Sequence, residues 1–220
     1  MIYFKLNRLA HFHPTAKDGS QSLASVGFLA HKIVTIWRHA MKLDYDKLKP
    51  GMILGVTSMS PFAITTRITT AGMHNAFNLK IATHIAIVCQ EHGLYYIMEM
   101  ATPKIRERDI NEYDSGCLWS NRIVFAAYPF QPWDIVSQKD ANDFLLESHR
   151  IGVQYNIEEL FEFWGIDLPE DHSKIICSDL ARNMMRVLKL PYPIEWDKKV
   201  SPWDIQKFFI KSNELIDITG

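Results

Sequence analysis

Two short apolar runs, Thr83 to Cys89 and Leu94 to Ala101, flank Gln90-Glu91-His92-Gly93 and read as an antiparallel hairpin. Each run carries a histidine or a carboxylate in apolar company. His84 stands in Thr83-His84-Ile85-Ala86-Ile87-Val88, and Glu99 in Tyr95-Tyr96-Ile97-Met98-Glu99-Met100-Ala101. A carboxylate in such a strand costs free energy unless something answers it. If Cys89 and Leu94 are the last paired residues, His84 lies directly across from Glu99. Opposed side chains share a face of the sheet, with Cβ atoms about 5 Å apart. A slip of one residue would put them on opposite faces. The hairpin therefore constrains both the fold and the chemistry.

A histidine held by a carboxylate keeps one tautomer and leaves its other nitrogen basic, as a general base requires. The partner it needs is a nucleophile. Ile175-Ile176-Cys177-Ser178-Asp179-Leu180 places a cysteine where a helix is expected to begin, and a helix start favours thiolate. Cys177, Leu180, Ala181, Met184 and Leu188 fall on one helical face, for which the hairpin is the natural packing surface. The expected constellation is Cys177 as nucleophile, His84 as base and Glu99 as the group that orients the ring. Each also has a plain structural reading, as a buried inert cysteine or an internally satisfied polar pair.

Around this centre the chain reads as an α+β domain, with strands in the middle and helices about them. Residues 1–22 read as an irregular arm and 23–43 as a helix with Leu29, Ile33, Ile36 and Trp37 at helical spacing. Leu48-Lys49-Pro50-Gly51 is a turn before a short strand, Met52 to Thr57. Residues 58–80 look like a long loop with a helical piece near Ile64 to Ile68. A strand is expected at Arg122 to Tyr128, and helices over 138–149 and 156–164. Asp140 or Asn142 lies near the start of the first, and Asn156 caps the second. The helix from Cys177 should end near Lys189, before Leu190-Pro191. Ser201-Pro202 opens a last helix, with Asp204 in its first turn.

Composition narrows the function classes. The 220 residues carry a net charge of −1, with 47% apolar and 22% charged residues. That balance argues against an electrostatic grip on nucleic acid or an anionic membrane. Three cysteines without CxxC spacing argue against a disulfide scaffold and a structural zinc site. His11 and His13 form the one weak metal-like pair, and no metal or organic cofactor is expected. Met1 to Asn7 lacks the apolar core of a signal peptide, and Ser25 to Leu43 is too polar to span a bilayer. A cytoplasmic location is the expectation, and the helix over 23–43 is the only hint of membrane contact.

Several motifs in order resemble those of a known family. Lys47-Leu48-Lys49-Pro50-Gly51-Met52-Ile53-Leu54, Thr83-His84-Ile85-Ala86-Ile87-Val88, Tyr96-Ile97-Met98-Glu99-Met100, Tyr155-Asn156 and Ile176-Cys177-Ser178-Asp179-Leu180 are similar to the successive motifs of circularly permuted NlpC-type papain-like enzymes, the YiiX/YebB-like branch above all. The resemblance spans roughly 47–205. It implies an N-terminal arm and helix over 1–46 and a permuted papain-like domain over 47–220, built on a central antiparallel sheet. In ordinary papain-like enzymes the cysteine precedes the histidine, whereas here it follows. Met52 stands where the family has Asp, Asn156 where Asp is common, and Asp179 where Glu is common.

By position, Cys177 resembles the family's nucleophile, His84 its base, Glu99 its third polar residue and Tyr155 the tyrosine lining the site. Ser201-Pro202 resembles its late Ser-Pro motif. The implied activity is that of a cysteine peptidase or amidase working through an acyl-enzyme, on a small peptide or acyl-amide substrate such as a cell-wall peptide. The alternatives are a lipid acyl hydrolase or acyltransferase of the same fold, and a binding module without turnover.

Overall fold

The computed structural model describes residues 43–114, 122–129, 133–156 and 174–218. All of these lie in the compact unit Ala40–Gly220. His11, His13, Cys117, the arm over 1–22, and all but the last residue of the helix over 23–43 lie outside the described residues. So does all but Asn156 of the helix over 156–164.

Five strands form one antiparallel sheet: β1 (Ile53–Thr57), β2 (His84–Glu91), β3 (Leu94–Ala101), β4 (Lys104–Asp109) and β5 (Arg122–Ala127). Their order across the sheet is β4-β3-β2-β1-β5. Four α-helices accompany them among the described residues: α1 (Pro61–Ala71), α2 (Ile135–Ile151), α3 (Cys177–Val187) and α4 (Pro202–Ser212). The α+β class with a central antiparallel sheet is as the sequence implies.

The middle of the sheet is buried on both faces. All five residues of β1 are buried, and so are consecutive residues Ile85 to Cys89 of β2, whose side chains alternate between faces. Helix α3 packs on β2 and β3, the surface its apolar stripe requires. Leu180, Ala181 and Met184 are buried on it, each large side chain contributing about 1.5–3 kcal/mol. Helix α2 packs on β2 and β4, and the Phe209 ring of α4 lies 6.3 Å from the Phe125 ring of β5. The Pro50-Gly51 turn admits only glycine. Gly51 has φ +83°, and a Cβ there would stand 2.4 Å from the Trp133 ring and 2.7 Å from Ala141. Trp133 Nε1 also donates to the Pro50 carbonyl at 2.9 Å.

Four local expectations change. The hairpin is tighter than expected: β2 runs on to Glu91, Glu91 pairs with Leu94, and the turn is His92-Gly93 alone. Both turn residues have positive φ, 51° and 81°, the geometry of a two-residue type I′ turn. Glu99 consequently pairs with Ala86 rather than His84. The region 58–80 is mainly the full helix α1, begun by Ser60, whose hydroxyl accepts from Ala63 N, with Pro61 at the first position.

Helix α2 begins at Ile135, ahead of the expected start at Gln138, because its cap is Asp134 rather than Asp140 or Asn142. The Asp134 carboxylate accepts from Ser137 N at 2.7 Å. Asn142 instead reaches across to β2, accepting from Gln90 N at 2.7 Å and donating to Gln90 O at 2.8 Å. Strand β4 is an addition to the expected elements. Lys104-Ile105-Arg106-Glu107-Arg108-Asp109 is too charged to show an apolar alternation, and it forms the sheet's edge, where charge is tolerated.

Candidate active site

His84 opens β2 and pairs with Val56 of β1. Glu99 of β3 pairs with Ala86 of β2 and so lies diagonally from His84. A register shift of two keeps both side chains on one face, so the contact survives the change. His84 Nε2 lies 2.8 Å from Glu99 Oε2. Glu99 is 1% exposed and His84 21% exposed.

The carboxylate is answered more fully than the sequence suggests. Arg106, directly opposite Glu99 on β4, reaches Oε1 through Nε at 2.7 Å and Nη2 at 2.6 Å. Arg108 Nη1 stands 3.5 Å from the same oxygen. The Tyr113 hydroxyl donates to Oε2, the oxygen that His84 shares. Sequence reasoning does not single out Arg106, Arg108 or Tyr113. The alternation of the two arginines in β4 is the available signal, but only long-range pairing shows that they face Glu99.

Burial alone would raise the Glu99 pKa. Hydrogen bonding and charge from His84, then hydrogen bonds from Tyr113 and Arg106, outweigh it and hold the carboxyl far below the usual range. Tyr113 moves the other way, its phenol raised by burial and then by the charge and hydrogen bond of Glu99. With Glu99 ionised, the His84 Nε2 proton points to it, leaving Nδ1 for a second partner.

That partner is Cys177. Its side chain hydrogen-bonds the His84 ring. Burial lowers the histidine pKa, but Cys177, by charge and hydrogen bond, and then Glu99 outweigh it and raise the value to about 10. Cys177 is the first residue of α3 and is 4% exposed. Just ahead of it, Ile176 N donates to Asp179 Oδ2 at 3.2 Å, which satisfies the backbone at the helix start. Asp179 in turn pairs with Arg182 at 2.9 Å. The three residues singled out from sequence thus come together from β2, β3 and α3.

Tyr155 is tied by the backbone to the segment that leads into Cys177. It bridges Ile175, two residues before Cys177, in parallel fashion, and Asn156 N donates to Ile175 O at 2.9 Å. Cys89, the other described cysteine, is wholly buried, and burial, then Glu107 and Glu91, push its thiol up to about 12. Among the described residues no group of three or more His, Cys, Asp or Glu could hold a metal ion. No described helix is long and apolar enough to cross a membrane.

A second polar fixture lies at the end of β1. Arg67 of α1 is completely buried. It donates to the Ala76 carbonyl at 2.8 Å, Thr57 Oγ1 at 2.6 Å and the Ser58 carbonyl at 3.0 Å. Burial lowers its pKa. These partners are neutral, and they tie the end of β1 to the chain that leads back to His84.

The His84 and Glu99 shifts define a pH window for stability. A raised histidine pKa stabilises the fold fully below about 6.5, and that contribution is lost as pH climbs toward about 10. A depressed Glu99 pKa stabilises above about 4.5, and its contribution is lost as pH falls through the lowered value. The melting temperature is therefore expected to be highest between about pH 4.5 and 6.5. Its decline at higher pH should flatten in His84→Gln, as a series of thermal melts can check. An identical alkaline decline in the variant would remove His84 as the cause.

No family model matches the chain, and no curated protein matches it either.

Proposed function

We propose that the chain is a cysteine hydrolase of the permuted NlpC-type papain-like kind, acting on an amide or peptide bond through Cys177, His84 and Glu99. The observation that carries this reading is the contact chain itself: Cys177 to the His84 ring, and His84 Nε2 to the buried Glu99. Nucleophile, base and orienter in hydrogen-bond sequence are what covalent acyl transfer needs.

In the proposed reaction the Cys177 thiolate attacks the carbonyl carbon. Backbone N–H groups at the start of α3, which lack intrahelical acceptors, would stabilise the oxyanion. His84 Nδ1 gives its proton to the leaving amine as the C–N bond breaks, and a thioester remains. Water then attacks the thioester while His84 takes its proton, the C–S bond breaks, and the acid leaves with the Cys177 thiolate and protonated His84 restored. Glu99, locked by Arg106, Arg108 and Tyr113, keeps the ring in one orientation throughout. Tyr155 borders the nucleophile's segment and is assigned to the substrate pocket.

Limited alkylation with iodoacetamide at pH 6, followed by peptide mapping, tests the reading. An unperturbed cysteine is less than about 1% thiolate at that pH. Cys177 is expected to label faster than Cys89 and Cys117, and His84→Ala should return it to ordinary thiol behaviour. Faster labelling of Cys117, or a profile unchanged by His84→Ala, would favour an inert buried cysteine instead.

A further inference from the structure

Two buried side chains join the nucleophile's helix and the histidine's strand through the same third element. Ser178, next to Cys177 and fully buried, donates from Oγ to the Val200 carbonyl at 2.6 Å. Val200 leads directly into Ser201, the cap of α4. That cap is a reciprocal box: Asp204 N donates to Ser201 Oγ at 3.2 Å, and Ser201 N donates to Asp204 Oδ2 at 3.0 Å. Farther along α4, Gln206 is 6% exposed and uses both ends of its amide. Its Oε1 accepts from Ala82 N at 2.8 Å, and its Nε2 donates to Lys80 O at 2.8 Å. Ala82 lies two residues before His84, and Thr83 N between them donates to Val56 O at 2.8 Å.

The geometry points to the first half of α4 as a strut that sets the spacing of Cys177 and His84, fastened to the nucleophile's helix by Ser178 at Val200 and to the histidine's segment by Gln206, both positioning residues. The inference rests on the proposed cysteine chemistry for its consequence in catalysis. Its physical basis is that the two fastenings are separated by about 8 Å of capped helix, which is stiff. Each end is fastened by buried hydrogen bonds to backbone, so neither can slide without leaving polar groups unsatisfied. Nucleophile and base belong to segments far apart in sequence. A fixed spacer lets them hold a hydrogen bond without an ordering cost at each turnover. Ser178 and Gln206 both spend their hydrogen bonds on backbone away from the reacting atoms. The groups facing His84 are Cys177 and Glu99, with Arg106, Arg108 and Tyr113 behind Glu99.

The test compares Gln206→Met, which keeps the side chain's length, Ser178→Ala, and the double variant. Two readouts are used on the full chain: the NMR titration of the His84 ring, and the pH profile of Cys177 alkylation. Each single variant is expected to shift the His84 titration toward that of an ordinary histidine. Each should also slow Cys177 alkylation at pH 6 by roughly tenfold, since small displacements of paired groups carry effects of this size. Because the two fastenings act in series, the double variant should be no slower than the slower single one. A merely structural role would lower the melting temperature and leave both profiles as in the parent, which would overturn the strut. A double variant slower by the product of the single effects would overturn it too, because the sites would then act separately. If the parent's alkylation does not depend on His84, the hydrolase reading fails. The strut is then decided by the His84 titration alone.

Discussion

Cys177→Ala is expected to abolish acyl-enzyme formation. With p-nitrophenyl acetate as a small activated acyl donor, the parent should release p-nitrophenol in a burst of about one equivalent, and its Cys177 peptide should gain an acetyl group. Cys177→Ala should show no burst, and its turnover should fall by on the order of 10⁴-fold or more. His84→Ala should slow acylation at pH 7 by on the order of 10²–10⁴-fold, the usual worth of a positioned base. Glu99→Gln should cost less than either, since its amide can still hold the ring without supporting its charge. A burst of parent size in Cys177→Ala, with the acetyl group mapped elsewhere, would refute the mechanism. A folded parent that never acylates would favour a binding module that keeps the constellation without turnover.

Glu99→Leu is expected to produce the largest loss of stability among substitutions in the site. The carboxylate is 1% exposed and answers two guanidinium groups, a phenol and an imidazole. Its removal leaves the Tyr113 hydroxyl and the Arg106 guanidinium without the acceptor they use, while Arg108 keeps Glu112 and His84 keeps Cys177. Breaking a buried pair from one side costs about 3–5 kcal/mol. Arg106 is 49% exposed and can turn to water, which reduces the figure, so a loss of about 2–4 kcal/mol is expected in urea unfolding. Adding Arg106→Leu should recover part of it, because the stranded charge goes as well. Stability within about 0.5 kcal/mol of the parent for Glu99→Leu would show that the network contributes nothing net.

What can be read from the sequence is local. Two apolar runs around a turn mark β2 and β3, and they put His84 and Glu99 on one face whether the register is the expected one or shifted by two residues. The helix from Cys177 follows from its apolar stripe, and α4 from Ser201, Pro202 and Asp204, all within a few residues of the structure they specify. The pairing register is not legible, because it depends on whether the turn takes four residues or two. His92 adopts a left-handed conformation that its type seldom uses, and this decides it.

The rest is decided by tertiary contacts. Arg106 and Arg108 sit in a segment whose charge hides its strand character, and they matter only because β4 pairs with β3. Tyr113 reaches Glu99 from the short helical turn after β4. Arg67 is the only Asp, Glu, Lys or Arg between Lys49 and Lys80, and its sequence neighbours do not show that it is buried. Ser178 and Gln206 are ordinary polar residues of two helices until the fold brings Val200 and Lys80 to them. Periodicity and capping report what a side chain does within a few residues of itself. Hydrogen bonds between segments tens of residues apart leave no periodic trace, so the partners of the buried polar groups are visible only in the folded structure.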